Sequence, residues 1–276
     1  MLLNEIKPAP ALAQYVRLYR IIDFQFDNSV IIPPKMYSPR PEHCLQFYLR
    51  DLEKVFYPSA EKRLNGARAV LVGQHTVLQH RQIGHCFLSL QVVFQPAGLH
   101  QLLGWNMPEL ANTYLDARDM LGAGLDAITE QLADAESYPA MISIVEQYLL
   151  QIARRRKVGE HRVDSAMYSM MREEEQFKLD YFLNESCLSH RQFDRKFQER
   201  VGISPKQYLQ VIRFDKAFRM KNKYPQLDWL SIAIRCGYHD YQHLARDYKS
   251  FTSYTPPAFY AIDSGTPERH FGEAEI

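Results

Sequence analysis

The sequence lacks a long apolar run. None of its hydrophobic stretches approaches the roughly 20 residues that a membrane-spanning helix needs, although 46% of the 276 residues are hydrophobic. The N-terminus also lacks a basic flank followed by an apolar stretch and a cleavage site, the pattern of an exported protein. We therefore expect a cytoplasmic protein with no membrane partner.

Cysteine is scarce as well. The four cysteines, Cys44, Cys86, Cys187 and Cys236, are widely spaced, and none forms the close pairs used in zinc or redox sites. This pattern fits a reduced cytosolic protein. Cys187 and Cys236 fall at predicted turns, where we expect small buried thiols.

Catalytic motifs are missing too. The sequence has no Gly-x-Ser-x-Gly turn, phosphate-binding glycine-rich loop or metalloprotease helix motif, so we predict no catalytic residue and no cofactor. His75, His80, His85 and Cys86 lie close together, near His43, which raises the hypothesis of a metal site. Spacings of five place successive histidines on opposite faces of a strand, and no carboxylate accompanies them at a fixed spacing. We therefore predict no metal site and expect surface or loop histidines.

A repeat dominates the C-terminal half. Two stretches match at a constant offset of 51 residues, which indicates two copies of one supersecondary unit. The matched pairs are Ser189 and Asp240, Arg191 and Gln242, Phe193 and Leu244, Arg195 and Arg246, Phe197 and Tyr248, and Tyr208 and Phe259.

Each copy predicts a short helix, a turn and a longer helix. The short helices are expected at Leu179 to Ser186 and Trp229 to Arg235. In the first long helix, Phe193 and Phe197 share one face, and the arginines two positions before them lie about 200° round on the opposite face. Apolar residues inside and long polar side chains outside are typical of helix-turn-helix units.

The charge distribution agrees with nucleic-acid binding. Residues 186–262 contain 13 Lys and Arg against 6 Asp and Glu, whereas the whole chain has a net charge of only +1. Arg and Gln make bidentate contacts to base edges, and Lys and Arg contact phosphates. The alternative is that these charges only solvate the outer faces of packed helices.

Residues 163–262 resemble the DNA-binding domain of the AraC/XylS family of bacterial transcription regulators. The residues that carry the resemblance include Ser189, Phe193, Arg195, Phe197, Gly202, Ser204-Pro205, Tyr208, Arg213, Ala217, Ile232-Ala233, Gly237-Tyr238, Asp240, His243, Arg246, Tyr248-Lys249 and Thr255-Pro256. Two positions depart from the family pattern. Leu183 replaces the usual Ala, which suggests different helix packing, and Ser253 replaces the usual Gly, which predicts a turn without a left-handed residue.

The resemblance implies that six side chains face DNA: Arg191, Gln192, Arg195, Tyr241, Gln242 and Arg246. Weaker candidates for contacts to the DNA backbone, with intradomain pairing as the alternative, are His190, Lys196, Arg200, Lys206 and Lys249. Arg213 could equally form a structural ion pair. The resemblance also implies RNA polymerase as a partner.

The N-terminal half predicts strands followed by helices. Strands are expected at Leu18 to Phe26, Cys44 to Arg50, Ala67 to Val72, Thr76 to His80 and Cys86 to Phe94, and helices at Leu99 to Gly104, Pro108 to Leu115, Gly124 to Ala135 and Tyr138 to Lys157. Closely spaced strands suggest a small barrel or sandwich. This half also resembles the cupin-like domain found in one branch of the family. Candidate pocket residues are Phe47, Tyr48, Phe56, Tyr57, Phe87 and Phe94, although aromatics on strands also serve as simple core.

The sequence thus predicts an α+β protein with three parts. Residues 1–158 form a small cupin-like β-barrel followed by helices, residues 163–262 form an all-α DNA-binding domain, and residues 263–276 form an acidic tail expected to be disordered. The predicted function is sequence-specific regulation of transcription on double-stranded DNA, controlled by a small-molecule effector or by homodimer formation. Two alternatives stay open: a cupin-type metalloprotein tethered to DNA, and a protein-interaction module that has lost DNA binding.

Overall fold

A computed structural model of the chain describes residues 2–56, 66–155, 158–172 and 178–265. Tyr57 and most of the predicted acidic tail lie outside the described residues. The strands are β1 (Leu2–Ile6), β2 (Val16–Gln25), β3 (Lys35–Tyr37), β4 (Cys44–Tyr48), β5 (Lys54–Phe56), β6 (Ala69–Val72), β7 (Gln79–Gln82), β8 (Cys86–Phe94) and β9 (Tyr114–Asp116).

These strands form two antiparallel sheets. The larger sheet has the order β1-β2-β8-β4-β6-β9, and the smaller has the order β3-β7-β5. In the larger sheet β8 pairs with both β2 and β4, and eight of its nine residues are buried. A strand buried on both faces needs cover on each side. One face of the larger sheet packs in the same apolar cluster as residues of the following helices, and the other faces a cavity that both sheets line.

The predicted small β-barrel is not confirmed. Over the described ranges, ladder hydrogen bonds join six strands and three strands separately. The part confirmed is a mixed fold, with an N-terminal β region and a C-terminal helical region.

The helices follow in chain order: α1 (Gly98–Leu103), α2 (Ala117–Leu121), α3 (Gly124–Ala133), α4 (Tyr138–Arg154), α5 (Arg162–Arg172), α6 (Leu179–Ser186), α7 (His190–Val201), α8 (Pro205–Lys223), α9 (Trp229–Arg235), α10 (Tyr241–Thr252) and α11 (Pro256–Ser264). The predicted short helices of the repeat are confirmed as α6 and α9. Both long helices of the repeat are present as α7 and α10.

The predicted helix from Pro108 to Leu115 is wrong. A 3-10 turn covers only Met107–Leu110. Asn112 then adopts a positive φ of 56°, which an α-helix cannot accommodate, and the next residues become β9, which pairs with β6. The backbone groups of β9 therefore form hydrogen bonds with β6 at the edge of the larger sheet, where a helix would have formed them within itself.

Ser253 also contradicts its prediction. It ends α10 with φ 66° and ψ 4°, and its N–H donates to the carbonyl oxygen of Lys249. Gly202 ends α7 in the same way, with φ 96°. The turn therefore uses a left-handed residue in both copies, and in the second copy that residue carries a side chain.

We expect Ser253→Gly to raise the free energy of unfolding by about 1 kcal/mol, because glycine removes the steric cost of the left-handed conformation. Urea unfolding followed by circular dichroism measures the change. The matched control is Ser250→Gly, inside the same helix, which should lower stability by about 0.5 kcal/mol. Equal effects at the two positions would show that Ser253 carries no backbone strain.

Candidate DNA-binding surface and interior cavity

The long helix of each repeat copy is predicted to read DNA and is called its recognition helix. The first is α7, and its start is fixed by a capping box. The side chains of Ser189 and Gln192 each bond the other residue's backbone N–H, which satisfies donors that a helix start leaves unpaired. Phe193 and Phe197 are buried, whereas Arg191 and Arg195 are exposed. The capped helix thus presents two guanidinium groups to solvent, together with the exposed capping residue Gln192.

The second recognition helix, α10, repeats this arrangement. Asp240 caps it by accepting from the backbone N–H of His243 at 2.7 Å. Leu244 and Tyr248 are buried, and the side chains of Gln242 and Arg246 are exposed. Tyr241 is only half-buried and begins the helix. The side chains predicted to read bases are therefore accessible on both helices.

Helix α8 joins the two units. Its 19 residues span about 28 Å at 1.5 Å per residue. Tyr208 near its start lies 5.5 Å from Phe197 of the first unit, and Phe214 lies 4.7 Å from Tyr248 of the second, measured between ring centres. Both units pack on this one helix, so their recognition helices are held in a fixed relation.

Four of the five side chains predicted to contact the DNA backbone lie at or near the protein surface, and the fifth, Arg200, is buried. Lys206 and Lys249 are exposed, as is His190, whose Nδ1 lies 3.2 Å from Asp194. Lys196 pairs with Glu199 at 2.8 Å. These side chains lie at or near the surface of the helical domain.

The prediction that Arg200 contacts the DNA backbone is wrong. Its side chain is 4% exposed, and Nη1 lies 3.3 Å from a carboxylate oxygen of Asp164. Arg213 likewise pairs with Asp247 at 3.6 Å and lies over the ring of Tyr238. Both arginines serve the domain's interior, because their partners hold them away from solvent.

The N-terminal domain touches the first recognition helix directly. The ring nitrogen Nε2 of the buried His43 lies 2.9 Å from the carbonyl oxygen of Val201, at the end of α7. A Cβ on Gly202 would lie 2.7 Å from the carbonyl oxygen of Met107, so glycine permits this close approach. The end of α7 is thus anchored on the β domain, and Asn106 shares a surface groove with Arg191 and Arg195.

A cavity of about 80 Å³ lies between the two sheets. Its lining is strongly polar and includes Arg20, Glu42, Glu53, His75, Gln79 and Arg81. Arg20 is saturated, since it donates to Glu5, Glu42 and Gln91. The opposite charges of the Arg20 and Glu42 side chains hold the pKa of the Glu42 carboxyl well below its usual range, against the effect of burial.

The predicted pocket aromatics lie on both faces of the larger sheet. Phe87 lines the cavity, and the hydroxyl of Tyr48 donates to the lining residue Glu53 at 3.0 Å. Phe47 and Phe94 lie on the helix-covered face, because alternate strand residues point to opposite sides. Phe56, on β5, is not among the lining residues. The charged lining of the cavity was not predicted from the sequence. A signal for it was present, because the polar residues Gln46 and Gln91 interrupt two strongly apolar strands.

His75 was expected at the surface and is instead buried in the cavity wall. Burial, with the nearby positive charges of Arg81 and His43, lowers its pKa to about 3. Across the described ranges, no three His, Cys, Asp or Glu side chains form a group suited to a metal ion.

The two turn cysteines differ. Cys236 is buried, and burial raises the pKa of its thiol to about 12. Cys187 is exposed and has a positive φ of 52°, so the expectation of a buried thiol is wrong there. It is the left-handed residue that ends α6.

Comparison with known proteins identifies the helical half. A family model described as a helix-turn-helix domain matches residues 183–261, which contain both capped recognition helices. The helical half is thus a helix-turn-helix domain, which agrees with the resemblance of this segment to the AraC/XylS family. A second model, a domain of unknown function (DUF6597), matches residues 4–116.

Individual relatives of this chain are distant. An uncharacterized HTH-type transcriptional regulator of Haemophilus influenzae is 24% identical over 140 residues, and the match covers 49% of this chain and 46% of the relative. The chain thus aligns with about half the length of the curated relative it matches. A structure of ToxT from Vibrio cholerae has a TM-score of 0.48 at 9% identity, covering 90% of this chain and 99% of ToxT. ToxT with a bound unsaturated fatty acid gives 0.45 at 11% identity, covering 91% and 97%.

None of the helices in the described residues combines the length and the apolar character that crossing a bilayer requires.

Proposed function

We propose that this protein is a sequence-specific DNA-binding transcription regulator whose N-terminal domain receives a small-molecule signal. The observation that carries the proposal is the doubled geometry of α7 and α10. Each helix is capped at its start, buries an apolar pair and exposes long polar side chains, and both pack on α8. Such helices are suited to reading base edges in a major groove.

The two recognition helices enter successive major grooves on one side of the DNA. Grooves repeat about every 10 to 10.5 base pairs, or roughly 34 to 36 Å, which the length of α8 together with its flanking turns can span. Arg191 and Arg195 of α7 and Arg246 of α10 contact guanines or nearby phosphates, and Gln242 reads adenine. Gln192 and Tyr241, at the helix starts, complete the two base-facing sets.

Exposed cations flank these sets. Lys206, Lys249 and His190 hold the DNA backbone, and Lys196 contributes when it is released from Glu199. Phosphate contacts of this kind position a protein on the duplex and make its affinity depend on salt.

The N-terminal domain acts as the sensor. Its two facing sheets form a cupin-like enclosure around the polar cavity, within a domain of residues 1–158 that precedes the DNA-binding domain of residues 163–262. The protein acts in the cytoplasm without a catalytic step of its own, and RNA polymerase and a second copy of the chain are its protein partners.

Selection of bound sequences from a random DNA pool tests this function. We expect the full chain to select two short blocks about one helical turn apart. Arg191→Ala should relax one block and Gln242→Ala the other, each at a cost of about 1 to 3 kcal/mol against the preferred base. The change is measured as relative affinity for matched and mismatched duplexes.

Arg118→Ala is the matched control, because Arg118 is an exposed arginine of the N-terminal domain. It should leave both blocks unchanged. Failure of the folded chain to select any motif at moderate salt would contradict the DNA-reader proposal. A weak affinity that is the same for all sequences and independent of salt would instead favour a protein-interaction module, and stoichiometric metal in the purified chain would favour a tethered metalloprotein.

A further inference from the structure

The Arg81 guanidinium is oriented by two aromatic rings. Its central carbon lies 4.4 Å from the ring centre of Tyr37 and 5.4 Å from that of Tyr114. Nε and Nη2 donate to Oε1 of Gln79 at 3.2 and 3.0 Å. Nη1 lies 3.8 Å from Oε2 of Glu53, which is too long for a hydrogen bond. The rings and Gln79 therefore fix the plane of the guanidinium and leave Nη1 without a close carboxylate.

Gln79 supplies a second donor beside it. The residue is 2% exposed, and its Oε1 also accepts from the hydroxyl of Tyr114 at 2.9 Å. These bonds orient the amide, and its Nε2 has no hydrogen-bond partner among the described residues. A buried donor left unpaired has lost its hydrogen bonds to water without replacement, which is unfavourable. An oxygen atom placed in the cavity beside Gln79 would remove that cost.

The charges around the cavity favour an anion. The Arg20 side chain is neutralised by Glu5 and Glu42. Glu53 offsets Arg81 incompletely, because its Oε2 lies 3.8 Å from Nη1 and already accepts from the hydroxyl of Tyr48. The charge of Arg81 also contributes to the lowered pKa of His75. Positive charge therefore predominates near Arg81, where a cation would be repelled.

The size and the apolar part of the cavity limit the rest of the ligand. Ile22, Val72, Ile83 and Phe87 line it beside the polar groups. A dry cavity of about 150 Å³ holds benzene, so the roughly 80 Å³ here suits about three to five non-hydrogen atoms. A carboxylate head with a very short alkyl chain meets both requirements.

We propose that this cavity binds a short-chain monocarboxylate, with Nη1 of Arg81 and Nε2 of Gln79 donating to its oxygens. The alkyl group lies against the apolar wall formed by Ile22, Val72, Ile83 and Phe87. The inference names the ligand class of the proposed sensor domain, and it rests on the proposed function only for the regulatory consequence of binding.

Calorimetric titration of the full chain tests the site. Acetate and propionate are compared with acetamide and propionamide, which have nearly the same shape without the negative charge, in a buffer that contains no carboxylate. We expect saturable binding of one carboxylate per chain, at least 10-fold tighter than the matching amide. Equal affinity for acid and amide, or no saturable carboxylate binding, would overturn the proposal, as would binding of nitrate without binding of either carboxylate.

Variants locate the site. Arg81→Gln should weaken carboxylate binding at least 10-fold, whereas Arg50→Gln, at a partly exposed arginine paired with Asp23, should leave it unchanged. If Arg81→Gln does not fold, Gln79→Glu serves instead, because it places a like charge against the ligand and keeps Arg81 paired. Unchanged affinity in the folded cavity variant would overturn the assignment.

DNA binding is measured separately on the same preparations. Carboxylate binding that leaves DNA affinity unchanged supports the site and removes only its regulatory role. Absence of carboxylate binding in a chain that still selects its DNA motif overturns the site and leaves the DNA-binding function standing.

Discussion

Replacing Arg200 by methionine is expected to lower the free energy of unfolding by about 3 to 5 kcal/mol. Arg200 on α7 pairs with Asp164 on α5, and both side chains are 4% exposed. Asp164 also accepts from the amide of Gln101 on α1 at 2.8 Å and from the backbone N–H of His161 at 2.9 Å. Removing one partner of a buried pair leaves the other charge uncompensated, which accounts for the expected loss.

Urea unfolding of the full chain, followed by far-ultraviolet circular dichroism, measures this loss. Arg118→Met is the matched control, since the side chains of Arg118 and Asp126 are 58% and 53% exposed and their ion pair spans 3.3 Å. Exposed pairs contribute about 0 to 1 kcal/mol. A variant Arg200→Met within 1 kcal/mol of the wild type would show that the α1, α5 and α7 junction does not depend on this pair.

The same junction explains why Arg200 could not be classified from the sequence. Its position in the repeat, on a basic helix near exposed arginines, is equally consistent with contact to phosphate and with an internal ion pair. Asp164 lies 36 residues away, and only the packing of α5 against α7 brings it near. The apolar periodicity and the short helices were local signals, and those parts of the helical domain were predicted well.

The β domain was less predictable, because its pairing is non-local. The short strands β3 and β5 have no strong pattern of their own and exist through pairing with β7. Phe47 and Phe94 could be recognised as strand residues, but their face depends on which side of the sheet the helices cover. Which residues line the polar cavity also depends on which face the helices cover. Arg81 and Gln79 were therefore absent from the pocket predicted from the sequence.

The contact between the β domain and α7 likewise depends on tertiary packing and could not be predicted from local sequence. Glu42 and Cys44 line the cavity, and His43 between them reaches the last carbonyl of α7. Alternation along an extended chain sends neighbouring side chains to opposite sides. One short segment therefore contacts both the cavity and the first recognition helix, and a ligand that moves this segment would also move the anchor of α7.

Acidification is expected to destabilise the protein through the buried histidines His43 and His75. Burial is the main cause that lowers their pKa values, to about 4 for His43 and about 3 for His75, against about 6.5 in an unfolded chain. Between these values the unfolded chain binds protons that the native protein excludes. The stabilising contribution is therefore fully present above about pH 6.5 and is lost as the pH falls toward the folded values. By pH 5 each histidine accounts for about 2 kcal/mol.

The measurement compares unfolding free energies at pH 7 and pH 5 for the wild type and for His75→Gln, whose amide stays neutral over this range. The variant should lose about 2 kcal/mol less than the wild type between the two conditions, whatever its stability at pH 7. His239→Gln, at an exposed histidine, controls for the removal of any imidazole. Because the comparison is a difference of differences, a cavity or packing defect in the variant cancels. Identical pH dependence in the wild type and His75→Gln would mean that His75 takes up its proton as readily in the native protein as in the unfolded chain, which its burial beside Arg81 should prevent.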